Sequence, residues 1–326
     1  MDYKPKYSTS SRAKVDVHHH PVPPFWLEEV QKANVLPKPL PWSLELTEAF
    51  MGDVGTTTTV LSLTTPGVGF FEPPKARDMA RRVNEWTAEL RDSRPGKIGF
   101  FATIPPPTDI EGAIEEAKYA LTVLKAEGIT LFTRYGNDEN RYLGHESFRP
   151  LWKVLDELKA VVFIHPCAPK DTTPFPATLV TSISEFPHET TRTALDLIFT
   201  NTKRDFPNCK VILSHAGGTL PYLAARASFM EIFPASPLHK PAQEIWDDMK
   251  SFYYDLAMAG HENTLNTLLG FIPHDHILYG SDYPYARRPG ILRMNDGWEG
   301  YPVSDKIRDM INFENAQKIL PMFSKQ

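Results

Sequence analysis

The chain reads as an α/β protein, specifically a (β/α)8 barrel of the TIM type, and three observations predict it. Short apolar runs alternate with longer segments of helical periodicity, the pattern of parallel strands joined by right-handed helical crossovers. Eight such runs can be picked out, enough to close a barrel. The residues able to do chemistry gather at the C-terminal ends of those runs, the end at which such a barrel carries its site.

Taken in order, the first run is 14–18 and feeds VDVHHH; the second, 57–62, is reached through a proline-rich connection (PVPP, PKPLP) whose helix is the least defined. An amphipathic segment at 74–91 leads to the third run, 97–102, and a second at 109–127 leads to the fourth, 129–133. Gly128 is read as the stop of that second helix, because glycine commonly follows the last helical residue. Helical patterns at 148–158, 189–202 and 220–233 separate the later runs, which are 160–165, 210–215, 251–256 and 276–281. Each run stops at Gly, Pro or a polar residue, which is how a buried parallel strand hands a side chain to a loop. Prolines gather in the connections, where they stiffen the loops around a mouth. No internal repeat or low-complexity tract is visible. Residues 1–13, polar and without apolar periodicity, read as a flexible arm, and 14–326 as one barrel domain.

Composition narrows the function. With 41% hydrophobic residues the core is ample, and a formal charge of -5 without basic clusters leaves no electrostatic footprint for nucleic acid or an anionic membrane. A small-molecule partner is expected. Two cysteines, Cys167 and Cys209, with no long apolar stretch and no signal-peptide core, point to a reducing compartment, by default the cytoplasm.

Side chains alternate along a strand with a period of two, so His18 and His20 share a face and His19 points away. His165 ends the fifth run, His215 the sixth, and Asp282 follows the eighth. Singly, each has an ordinary use: a histidine at a strand end is commonly a satisfied polar residue, and Asp282 in GSDYP suits a helix cap or turn. Together they offer imidazole nitrogens and a carboxylate, the donors that suit a divalent zinc or manganese ion, and three His plus one Asp leave a position open. Pocket walls are expected from Phe25 and Trp26 against a flat ring, from Ser62, Thr64 and Thr65 as hydrogen-bonding groups, and from Tyr283 or Tyr285, with core packing as the alternative for each aromatic. His188 is kept as a pocket candidate, whereas His145, His239, His261, His274 and His276 fall in loops or at element ends.

The motifs D-V-H-x-H, F-I-H-P, S-H-A-G-G and Y-G-S-D-Y-P resemble the amidohydrolase superfamily over about residues 14–320, more narrowly its branch typified by aminocarboxymuconate semialdehyde decarboxylase. V-D-V-H-H-H with L-S-x-T-x-P-G after the second run is similar to the short fungal 6-methylsalicylate decarboxylases within that branch. The resemblance implies metal ligation by His18, His20, His165 and Asp282, with His215 contacting water or substrate beside the metal. It implies that Arg226 reaches a partner subunit's site in a homodimer or higher homo-oligomer. The fourth run ends in LFTRYG without a lysine to bridge two metals, so one zinc or manganese ion per chain is expected. The implied activity is decarboxylation of a small aromatic, salicylate-type acid, best matched by 6-methylsalicylate to m-cresol; the chemistry of that reaction makes Asp282 the expected proton donor, with His215 positioning the leaving group or its water. Two other readings stay open: hydrolysis of a lactone or amide with Asp282 as base, and a metal-binding barrel without catalysis.

Overall fold

The computed structural model describes residues 13–35, 40–136, 141–170, 178–233 and 239–324. The first twelve residues of the expected arm lie outside them. Eight parallel strands lie side by side in chain order: β1 (Val15–His19), β2 (Thr58–Ser62), β3 (Ile98–Ala102), β4 (Gly128–Phe132), β5 (Val161–His165), β6 (Lys210–Leu213), β7 (Tyr253–Asp255) and β8 (Ile277–Leu278). The two ends of this sheet meet. Val17 N donates to Tyr279 O (3.1 Å), Asp282 N to His18 O (2.8 Å) and His20 N to Tyr283 O (2.8 Å), so the segment after β8 continues along β1 and closes the barrel. The ladder proper of β8 is shorter than the 276–281 run predicts, because the rest of that run bonds to β1 one residue at a time.

Inside, Val60, Phe101, Val161, Phe163, Ile212 and Leu278 form one apolar cluster with Val15 and Val17, closed by Ala316, Ile319 and Leu320 near the C-terminus. Residues from six strands can meet in this way only in a barrel interior, which is packed rather than hollow. A larger cluster lies between the strands and the surrounding helices.

The connection from β1 to β2 holds two helices, α1 (Pro24–Lys32) and α2 (Leu44–Val54). Ser43 caps the second by accepting from Leu46 N, and Gly55 ends it in the left-handed conformation at φ 75°. Next comes α3 (Pro73–Ser93), which starts on prolines and buries Ala76, Met79, Ala80, Val83, Thr87 and Ala88, the three-and-four spacing of an amphipathic helix. The helix α4 (Ile110–Thr122) is capped by Asp109 and ends five residues before the expected boundary. Gly128 is therefore not its stop: Glu127 N already donates to Phe100 O in the sheet (2.9 Å), and Gly128 opens β4 where a Cβ would meet Val161 O at 2.3 Å. After α5 (Arg149–Glu157), α6 (Thr181–Phe199) begins eight residues earlier than its apolar period and runs through Pro187. The expected 220–233 helix is α7 (Leu220–Ser228) followed by a 3₁₀ turn, Phe229–Ile232. Three longer helices, α8 (Ala242–Lys250), α9 (Glu262–Leu269) and α10 (Arg288–Glu299), follow, and short helical turns at Thr202–Asp205, Asp305–Asp309 and Asn315–Ile319 add to the shell. No helix among the described residues is long and apolar enough to cross a membrane.

Candidate metal centre

Two strand ends and one turn bring His18, His20, His165 and Asp282 together at the C-terminal mouth of the barrel. One donor atom from each lies within 4.8 Å of all the others. His18 Nε2 and His20 Nε2 are 3.2 Å apart, and Asp282 Oδ1 is 3.3 Å from the first and 3.1 Å from the second. The His165 ring stands edge-on to both, at centroid distances of 5.2 and 4.8 Å. Phe163 forms the floor, 4.9 Å from the His18 ring, with Phe101 stacked beyond it.

What turns these imidazoles inward is the engagement of their outer nitrogens. His18 Nδ1 lies 2.9 Å from Asp255 Oδ2, His20 Nδ1 2.8 Å from Ser62 O, and His165 Nδ1 2.8 Å from Pro166 O. All three partners are acceptors, so each Nδ1 carries a proton and each ring turns its Nε2 to the centre. At 3.2 Å the facing nitrogens of His18 and His20 call for a cation between them, a proton or a metal ion. Burial would depress His18, but the carboxylates of Asp255 and Asp282 overcome it and raise its pKa to about 10. His20 and His165 are both lowered, chiefly by burial, and stay neutral donors. Burial acts to raise Asp282, yet the histidines around it, His18 foremost, hold it well below the usual carboxylate range. The field that draws a proton to His18 would draw a metal ion in its place. The residues fit one metal ion.

His215 stands beside this group, its Nε2 3.5 Å from Asp282 Oδ2 and its Nδ1 buried with no partner among the described residues. Both residues adopt positive φ, 54° at His215 and 66° at Asp282, a region that costs a non-glycine residue about 1–2 kcal/mol and is tolerated where a side chain must be aimed. Asp255 links the two halves of the site: Oδ2 faces His18 while Oδ1 accepts from His215 N (2.9 Å) and Ala257 N (3.0 Å). Asp16 supports the turn before Asp282 by accepting from Ser281 N and Oγ.

The remaining expected residues scatter. Phe25 packs edge-on against Trp86 beneath the Arg82 guanidinium, and buried Trp26 donates Nε1–H to Gly67 O, so both take part in the packing of α1 on α3 and the loop before it. Ser62 acts through its carbonyl on His20, while Thr64 is buried and its carbonyl accepts from Gly67 N. Thr65 lines a cavity beside the site. Tyr283 stacks on Phe50 at 4.2 Å and faces His19; Tyr285 is the tyrosine that meets His20, at 5.6 Å. His188 is exposed and lines a separate cavity with Glu185 and Arg192. Arg226 is exposed on α7. Sequence reasoning missed Asp255, and missed Phe132 and Phe186, whose rings stand edge-on to His165 at 6.3 and 6.2 Å.

The family model described as amidohydrolase matches residues 15–322, which takes in all five residues of this cluster. The chain belongs to the amidohydrolase family. This amidohydrolase is 41% identical over 314 residues to a 6-methylsalicylic acid decarboxylase of Penicillium expansum, covering 95% of this chain and 96% of that one. It is 44% identical over 323 residues to a 6-methylsalicylic acid decarboxylase of Aspergillus aculeatus, covering 96% and 97%. Its fold matches that of a dihydroxybenzoic acid decarboxylase of Polaromonas, solved with bound manganese and the inhibitor 2-nitroresorcinol, with TM-score 0.79 and 22% identity over 96% of this chain and 98% of that one.

Proposed function

We propose that this amidohydrolase is a metal-dependent, non-oxidative decarboxylase of a salicylate-type acid, and that it converts 6-methylsalicylate to m-cresol and carbon dioxide. The observation that carries the proposal is the convergence of three imidazole nitrogens and a carboxylate oxygen of Asp282 on one point, in a chain whose relatives at 41% and 44% identity bear that activity in their names. In this reading His18, His20, His165 and Asp282 hold one divalent ion, zinc or manganese, since both accept imidazole with carboxylate. When bound, the ion would supply a positive charge that attracts an anionic acid and offsets the negative charge developing as the carbon–carbon bond breaks.

The protein's own residues supply the proton. Asp282 turns Oδ1 to the histidines and Oδ2 to His215, so a proton kept on His215 Nε2 can pass through Oδ2 to the ring carbon. That carbon gains the proton, its bond to the carboxyl breaks, the bonding electrons restore the aromatic ring, and carbon dioxide leaves. Tyr285, Phe132 and Phe186, edge-on to the histidines, offer apolar walls for the ring. Around Arg226 the chain exposes Tyr222, Phe229, Ile232 and Phe233, an apolar face that suits pairing with a second copy whose site Arg226 would enter. Cys167 and Cys209 are both free, in keeping with a cytoplasmic enzyme.

The test is incubation of metal-analysed protein with 6-methylsalicylate while m-cresol and carbon dioxide are followed. Product should vanish on chelation and return with zinc or manganese, and Asp282→Asn and His215→Ala should each lower kcat by about 100-fold or more. Protein carrying one metal per chain that releases no carbon dioxide from any salicylate would end the proposal.

A further inference from the structure

Beside the cluster lies a cavity of about 580 Å³ that is lined by none of His18, His20, His165, His215 or Asp282. Phe132 belongs to its wall and also meets the His165 ring, so cavity and cluster are neighbours that share one aromatic side chain. Its size falls in the range that holds a small organic ligand. Polar and apolar surface share the lining about equally: Pro66, Phe70, Phe71, Pro106 and Phe132 supply flat apolar walls, and among the described lining residues one side chain, Arg134, is cationic.

Arg134 is largely buried, its side chain 15% exposed, yet little of its hydrogen-bonding capacity is used. Nε donates to Ala168 O at 3.0 Å. The carboxylate of Glu189 comes no nearer than 3.9 Å, and that to the same Nε, while the Tyr142 hydroxyl lies 3.0 and 3.2 Å from its two oxygens. No acceptor among the described residues pairs with the two terminal nitrogens, the forked end that matches a carboxylate. Of the two carboxyls lining the cavity, Asp109 is held by Arg77 through bonds of 2.6 and 2.5 Å, and Glu72 is exposed at the rim. A half-used guanidinium among flat apolar walls fits a planar monoanion.

We infer that this cavity is a second binding site, outside the metal centre, for the anionic form of a small aromatic acid. The ring lies against Phe70, Phe71 and Phe132, and the carboxylate takes the fork of Arg134. The choice of acid rests on the decarboxylase reading. Such a site holds incoming acid next to the mouth and has no charge to offer the neutral phenol that leaves.

The experiment is calorimetric titration of the metal-loaded protein with benzoate and, separately, with phenol. Benzoate lacks the ortho-hydroxyl, so its binding is scored without turnover. In Arg134→Gln a benzoate-binding event should weaken ten-fold or more while phenol binding and metal content stay unchanged. Unchanged benzoate binding overturns the inference, as does an equal loss for phenol, which would mark Arg134 as merely structural. Should that variant fail to fold, Arg134→Lys keeps the charge and loses the fork; a several-fold loss for benzoate alone supports the site, and no loss overturns it. Release of carbon dioxide from salicylates by the unmodified protein judges the decarboxylase reading on its own, so the two failures are told apart.

Discussion

Three imidazoles face one point only while something grips their far side, and at His18 the grip is a carboxylate, that of Asp255, where His20 and His165 have backbone carbonyls. Asp255→Asn keeps an oxygen for the His215 and Ala257 amides but removes the charge that raises His18. Metal affinity should fall by about 10–100-fold with the fold intact, as read by competition with a chelator; unchanged affinity would show that charge at this position is dispensable. A second residue-scale effect lies at the other end of the barrel. Burial raises Glu127 to about 7, against which the hydrogen bond from Met322 N (2.7 Å) acts only weakly. The folded protein therefore keeps a proton that the unfolded chain has released, so stability falls as pH rises from about 4.5 to about 7 and then levels. Glu127→Gln should remove this part of the slope, at most about 3 kcal/mol, seen as a difference between urea melts of the two proteins at about pH 5 and about pH 8. The inward-facing donors are legible in the sequence because His18 and His20 obey the period of a strand and His165 and Asp282 end apolar runs. Asp255 is not, since it donates nothing to the centre itself and its partners lie 237 and 40 residues away in the chain.

At the scale of elements, Gly128 shows where a local signal misleads. Glycine after a helical pattern suggests a stop, whereas here its missing side chain lets β4 approach β5, with Val161 O where a Cβ would be. Backbone cannot yield as a flexible side chain can, so Gly128→Ala should cost about 2–4 kcal/mol, measured by urea denaturation. A neutral result would mean that the two strands are not packed this tightly. The start of α6 is hidden in the sequence for a related reason. Its first turns, from Thr181 through Ser182, Ile183 and Ser184, bury nothing, and Ile183 itself faces solvent, so no apolar period marks them. Pro187 then interrupts the pattern, and burial begins only at Glu189. Strands are more legible than helix ends, since a fully buried strand is continuous in apolar residues and a helix end is decided by single caps and by the sheet it enters.

For the whole molecule, what matters is that the first and last strands meet. Lys14, just before β1, is buried; its amine donates to Val54 O and Asn295 Oδ1, both at 2.9 Å, and pairs with Glu299 at the end of α10. Lys14→Met removes that cation and leaves Glu299 to Arg308, 4.0 Å away, so stability should fall by about 3–5 kcal/mol in denaturant melts, while a loss below about 1 kcal/mol would mean the closure does not depend on the pair. The same closure governs when the metal centre can exist. During synthesis His18, His20 and His165 emerge long before Asp282, and the last donor reaches them only when the segment after β8 lies along β1. A nascent chain thus carries a gapped set of donors until its final strand docks, which makes ion capture a late event and the captured ion a clasp across the seam.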